Sequence, residues 1–173
     1  HYEIYKKLGA HPMTRDGVEG YYFAVWAPHA RAVSVVGEFN DWQAEANPCA
    51  EIFEGGIWEC FIPGLKAGML YKFLLKRAAG ELLYKAEPYA RAAEFRPGTA
   101  SQLTGEPWDY RWKDRAWMQQ RAKQNPRQEA LSIYECHLGS WRRGDENERD
   151  GFLSYETLAR ELSAYVKDMG YTH

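Results

Sequence analysis

Short apolar runs alternate with turn residues through the first half of the chain. Residues 19–27, 31–37, 56–62, 69–76 and 81–85 are rich in Val, Ile, Tyr, Phe and Trp, and Pro28, Pro48, Gly55, Gly56, Pro63, Gly64, Gly68 and Gly80 punctuate them. Runs of this length at this spacing predict the strands of an antiparallel β-sandwich. In 69–76, Tyr71, Phe73 and Leu75 share one face and Lys72 and Lys76 the other, the alternation of a sheet with one wet face. Residues 18–105 are thus expected to form one β domain, about the size of an immunoglobulin-type sandwich. Before it, residues 1–17 read as a short helix or turn, with Gly9 as the stop after Leu8.

The pattern then changes. Residues 106–130 are charged and contain one stretch compatible with an exposed helix, 113–123, ahead of Asn125-Pro126; they are expected to be a linker. Trp108, Trp112 and Trp117 are unusual for a solvated segment and suggest packing at a domain junction. Residues 131–173 read as a βα unit: an apolar strand, a polar loop over 142–151, Ser154 as helix N-cap and a helix to Met169 closed by Gly170. Leu158, Leu162, Tyr165, Val166 and Met169 fall on one face of that helix and are expected to be core.

Composition narrows the function classes. The 173 residues are 45% hydrophobic and 27% charged, with 22 basic against 24 acidic side chains and a formal charge of −2. No run of one sign is long enough to track phosphates or an anionic bilayer, so neither nucleic acid nor membrane is expected as a partner. No apolar stretch approaches the length of a membrane span, and the opening His1-Tyr2-Glu3 lacks the pattern of a secretory leader. Cys49, Cys60 and Cys136 make neither an even disulfide framework nor a C-x-x-C metal pattern. Free buried thiols in a reducing, cytoplasmic setting are expected. His11, His29 and His137 are not spaced as ligands, and neither a metal nor a cofactor is expected.

Several motifs taken together resemble the amino-terminal part of the bacterial glycogen (1,4-α-glucan) branching enzymes of the α-amylase superfamily. They are Leu8-Gly9-Ala10-His11, Phe23-Ala24-Val25-Trp26-Ala27-Pro28, Gly37-Glu38-Phe39-Asn40-Asp41-Trp42, Tyr71-Lys72-Phe73, Tyr134-Glu135-Cys136-His137-Leu138-Gly139-Ser140-Trp141 and Met169-Gly170-Tyr171-Thr172-His173. The resemblance implies a carbohydrate-binding sandwich followed by the incomplete first βα unit of a (β/α)₈ barrel, whose remainder would belong to the parent chain. It implies an α-glucan partner such as glycogen or maltooligosaccharides. It also implies a parent that cleaves an α-1,4 bond and re-forms it as an α-1,6 branch.

A barrel of this type needs roughly 250 residues and carries its chemistry at the ends of several strands. Retaining chemistry needs two carboxyl groups about 5 Å apart. In the family those carboxylates lie on later strands, and Glu135 falls within a strand rather than at its end, so no catalytic residue is expected here. His173 resembles the start of a further family motif. A debranching enzyme or trehalose-releasing hydrolase on the same architecture, and a glucan-binding regulatory protein without a barrel, are the competing classes; residues 134–141 favour the branching transferase.

Trp42 and Lys72 match positions that contact glucan in related modules. An indole face covers the C–H face of a sugar ring while an ammonium donates to hydroxyls. Trp42 could equally be an aromatic plug at the sandwich edge. The pattern departs at Leu82, where a second aromatic is expected, and Tyr84 is the nearest substitute.

Overall fold

The computed structural model describes residues 3–105, 110–125, 127–145 and 149–173, with Phe53 and Arg149 described by their backbones alone. The chain divides into two units, His1–Asp109 and Tyr110–His173.

In the first unit two antiparallel sheets face each other. One has the order β1-β2-β5-β4, built from β1 (Gly9–Arg15), β2 (Val18–Trp26), β5 (Ile57–Pro63) and β4 (Ala50–Phe53). The other runs β3-β6-β9-β8, from β3 (Ala30–Gly37), β6 (Leu70–Arg77), β9 (Ser101–Gln102) and β8 (Ala92–Ala93), and β7 (Leu82–Lys85) also pairs with β6. Alternate residues of β2, Tyr21, Phe23 and Val25, pack with Trp58 and Ile62 of β5 against Val33, Val35, Tyr71 and Phe73 of the opposite sheet. Phe23 meets Tyr71 and Phe73 edge-on, with centroids 5.3 and 6.4 Å apart, the arrangement that aromatic quadrupoles favour. The predicted antiparallel sandwich is thereby observed.

Two expectations need correction. Residues 1–17 hold only a single turn of 3-10 helix, Ile4–Lys6, and from Gly9 onward they form the edge strand β1. The reason is the Asp16-Gly17 pair: both residues have positive φ, 52° and 79°, and Arg15 pairs with Val18 across them. That is a two-residue hairpin loop whose twist suits antiparallel strands. Gly9 enters β1 at φ 108°, and a β-carbon there would run into the Glu87 carboxylate.

The second correction concerns the outer face of β6, which is not uniformly wet. Lys72 is half-buried and Lys76 exposed, yet Leu74 between them is buried, as are its cross-strand partner Ser34 and Val36, the partner of Lys72.

The second unit contains α1 (Arg115–Arg121), a single turn α2 (Leu138–Trp141), a 3-10 turn Arg149–Gly151 and α3 (Tyr155–Asp168). Ser154 caps α3, its Oγ accepting from the Thr157 amide at 3.1 Å, and Gly170 follows the helix at φ 78°. Of the predicted apolar face, Leu158 is buried, Leu162, Tyr165 and Val166 are half-buried and Met169 is exposed.

Tyr165 packs on Tyr134 and Trp141, with centroids 5.6 and 5.8 Å apart, and the Arg142 guanidinium lies 4.5 Å from the Trp141 ring centroid. The apolar run 131–137 is extended but is not a strand of a regular ladder. Its pairing consists of Thr172 and His173 amides donating to Ser132 O at 2.9 and 3.0 Å and the Tyr134 amide donating to His173 O at 2.8 Å, a parallel register. Trp112 and Trp117 are exposed; Trp108 lies outside the described residues.

Candidate functional site

The turn that carries Trp42 grows directly out of β3. After Gly37 the chain makes one 3-10 turn, Glu38–Asn40, and Asn40 holds it from both sides. Its Oδ1 accepts from the Gly37 amide at 2.9 Å, while its Nδ2 donates to Val35 O at 2.9 Å and to Asn47 Oδ1 at 2.8 Å. Asp41 and Trp42 then take left-handed conformations in succession, φ 51° and 59°.

For a bulky indole this is an uncommon backbone state, of the kind that persists only where surroundings over-determine it. Here the Trp42 amide donates to Gly37 O and the Gln43 amide to Asn40 O, both at 3.0 Å. The Trp42 side chain is half-buried.

Lys72 is brought to the same end of the sheet by pairing. Gly37 lies opposite Tyr71 and Val36 opposite Lys72, and the Glu38 carboxylate accepts from the Leu70 amide at 2.9 Å. The turn is thus pinned to the start of β6, two residues before Lys72. The Lys72 ammonium donates to Thr99 Oγ1 at 2.7 Å, so the segment between β8 and β9 fixes its position. Thr99 was not foreseen from the sequence, because nothing local ties residue 99 to β6.

Directly opposed residues share a face of a sheet. Tyr84 opposes Leu74 and Leu82 opposes Lys76, so both lie on the face of Lys72, and both are about half exposed, 49% and 47%. The Lys72 face therefore offers an ammonium and a hydroxyl with a phenol ring one strand further on, and the strained turn that carries Trp42 starts from the same end of the sheet. Flat rings with a few placed polar groups can hold a sugar chain through its C–H faces and hydroxyls.

Beneath it, on the inner face, Tyr71 donates to the buried Glu87 carboxylate, and the Glu87 amide donates to Ser101 Oγ at 2.8 Å. Burial pushes the Glu87 carboxyl above the usual range, opposed by the Tyr71 hydroxyl and the Ala10 and Tyr89 backbones. This pair, also unforeseen, ties the 85–89 segment to the core strand that bears Lys72.

Residues 7–90 match the family model of carbohydrate-binding module 48 (isoamylase N-terminal domain). Over its full length the chain is 45% identical to the 1,4-alpha-glucan branching enzyme GlgB of Butyrivibrio fibrisolvens, covering 27% of that protein. With the enzyme of the same name from Gloeobacter violaceus it shares 49% identity over 174 aligned positions, covering 24% of it. The chain is a relative of the 1,4-alpha-glucan branching enzymes. It spans about a quarter of their length and matches their amino-terminal region.

Among solved structures, that of a putative alpha amylase from Salmonella typhimurium aligns with 95% of this chain and 23% of its own, with a TM-score of 0.59 and 20% identity, which speaks to the fold. Trp42 and Lys72 both fall inside the module's matched span. No described helix is long and apolar enough to cross a membrane.

Proposed function

We propose that this chain is the non-catalytic, glucan-binding amino-terminal part of a cytoplasmic 1,4-alpha-glucan branching enzyme. Residues 18–105 with the β1 hairpin are the binding module, 106–130 the linker and 131–173 the first βα unit of the catalytic barrel. The observation that carries this reading is similarity at 42–49% identity along the whole chain to proteins that share one name.

In the parent, the sandwich would hold an α-1,4-glucan near a barrel that cleaves it and passes the segment to a 6-hydroxyl. The retaining route through two carboxylates would run on residues beyond this chain. Glu135, exposed within the extended run 131–137, has no part in it.

On the module, Trp42 supplies the stacking platform, Lys72 with Thr99 supplies hydroxyl partners, and Tyr84 on the same face takes the place of the aromatic missing at Leu82. Calorimetry with maltoheptaose tests the reading. Truncating a stacked aromatic anchor costs more than about 1 kcal/mol, so Trp42→Ala is expected to weaken binding at least several-fold, Lys72→Ala less, with both variants folded by circular dichroism. Equal affinity in wild type and Trp42→Ala would remove Trp42 from the site and leave it as an edge plug. The chain alone is expected to leave the iodine stain of amylose unchanged; a change above a matched blank would overturn its non-catalytic assignment.

A further inference from the structure

Cys49 and Cys60 stand 27 and 38 positions beyond Tyr22 in sequence, yet the sheet brings both to one spot. Ala50 pairs with Glu59 in the β4–β5 register, so Cys49 and Cys60 are the next opposed pair. Their sulfurs lie 3.3 Å apart with both thiols free. Opposed residues of an antiparallel pair have Cα atoms about 4.5 or 5.5 Å apart, and either spacing falls within the window a disulfide requires. Cys49 is buried while Cys60 is half-buried. The Cys49 amide donates to Val33 O of β3 at 2.8 Å, so this residue already touches the second sheet.

We propose that Cys49 and Cys60 are an oxidisable dithiol that closes to an intramolecular disulfide when the chain meets a peroxide. The sulfur of Cys60, the less buried of the two, attacks one oxygen of hydrogen peroxide; the O–O bond breaks, one water leaves and Cys60 becomes a sulfenic acid. The Cys49 sulfur then attacks the Cys60 sulfur. The S–S bond forms, the S–O bond breaks, and the hydroxyl departs with the Cys49 proton as a second water. Two thiols are oxidised by two electrons and one peroxide is reduced to two waters.

The hydrogen bond to Cys60 and burial push the Cys49 thiol up, so Cys49 holds its proton in the reduced pair. The new bond would join β5 to the segment 47–49, which lies along β3 through the Val35 amide on Asn47 O at 2.9 Å. It would therefore staple one sheet to the other, at the far end of the loop that begins at Trp42. The proposal is independent of the glucan reading.

The test oxidises the folded full chain with hydrogen peroxide, counts thiols and maps peptides after cleavage at Glu51, Glu54 and Glu59, which separates the two cysteines. Expected are a mass lower by about 2 Da, two hydrogens, a fall from three titratable thiols to one, and a fragment bearing Cys49 linked to one bearing Cys60. The unfolding midpoint should rise on oxidation and return on reduction. Cys136→Ser should behave like wild type, and Cys60→Ser should form no intramolecular link. Three surviving thiols, or a Cys60 carried to sulfinic acid beside a reduced Cys49, would overturn the proposal; so would links made only through Cys136.

Discussion

The two units bury their apolar side chains very differently. In the first, Phe23, Val33, Val35, Val36, Tyr71, Phe73 and Leu103 are at most 1% exposed, whereas in the second Leu158, at 4%, is the one buried apolar residue among those described. Leu131, Ile133, Tyr155 and Met169 of the second unit are all more than half exposed. The first unit closes its hydrogen bonds in ladders that face each other across a layer of buried apolar side chains. The second has a well-capped helix, a knot of aromatic rings and a short parallel pairing. Apolar patterning is present in both, so patterning alone does not make a core. Two complementary faces do.

The sharpest way to break that contrast is hydrogen exchange on a verified monomer. Amides of β3 should open only with global unfolding, worth about 5–15 kcal/mol for a domain, while those of α3 should open locally and exchange orders of magnitude faster. Equal protection would show that the second unit shares the stability of the sandwich.

Next in size is Phe23→Ala, expected to cost about 3–5 kcal/mol and to lower the denaturant midpoint followed by near-ultraviolet dichroism. Leu158→Ala should leave that transition where it is and reduce helix content. A smaller effect, about 1 kcal/mol, is expected for Ser154→Ala, which removes the α3 cap and should speed exchange in its first turn without touching the sheets.

The finest discriminator is pH. Because burial raises the Glu87 carboxyl in the folded chain, the native state binds a proton there that the unfolded chain, near pH 4.3, has begun to release. That contribution is fully present below the unfolded value and is lost as pH rises through the folded one. Glu87→Gln should therefore flatten the fall in sandwich stability across that window. An unchanged slope in chemical denaturation at stepped pH would assign it elsewhere.

Much of this was legible in the sequence, and the rest was hidden for identifiable reasons. Strand runs between turn residues in the first unit, the Ser154 cap and the Gly170 stop are local signals, and each appears in the structure where the pattern put it. The β1 hairpin was local too: Asp16-Gly17 announced it, but the run before it, His11-Pro12-Met13-Thr14, alternates poorly and contains a proline.

The burial of Leu74 and Val36, the Thr99 partner of Lys72 and the meeting of Cys49 with Cys60 depend on register between distant segments, which no single stretch encodes. The left-handed backbone at Trp42 belongs to the same class, since a tryptophan gives no hint of it. The 131–137 run shows the limit from the other side: a parallel strand takes its partners from far along a chain, so its apolar character says nothing of which residues pair with it.

Strand β6 divides one of its edges between two short neighbours, β9 at Leu70 and Tyr71 and β7 from Phe73 to Lys76. The outer edge of β3, on the other side of that sheet, is occupied by Asn47, Pro48 and Cys49, one of which has no amide to give. Among the described residues, a stray extended peptide reaching this sheet would find margins of two and four residues or a margin already taken, not a long free row of donors and acceptors. The sheet is thus poorly suited to act as a template for its own copies.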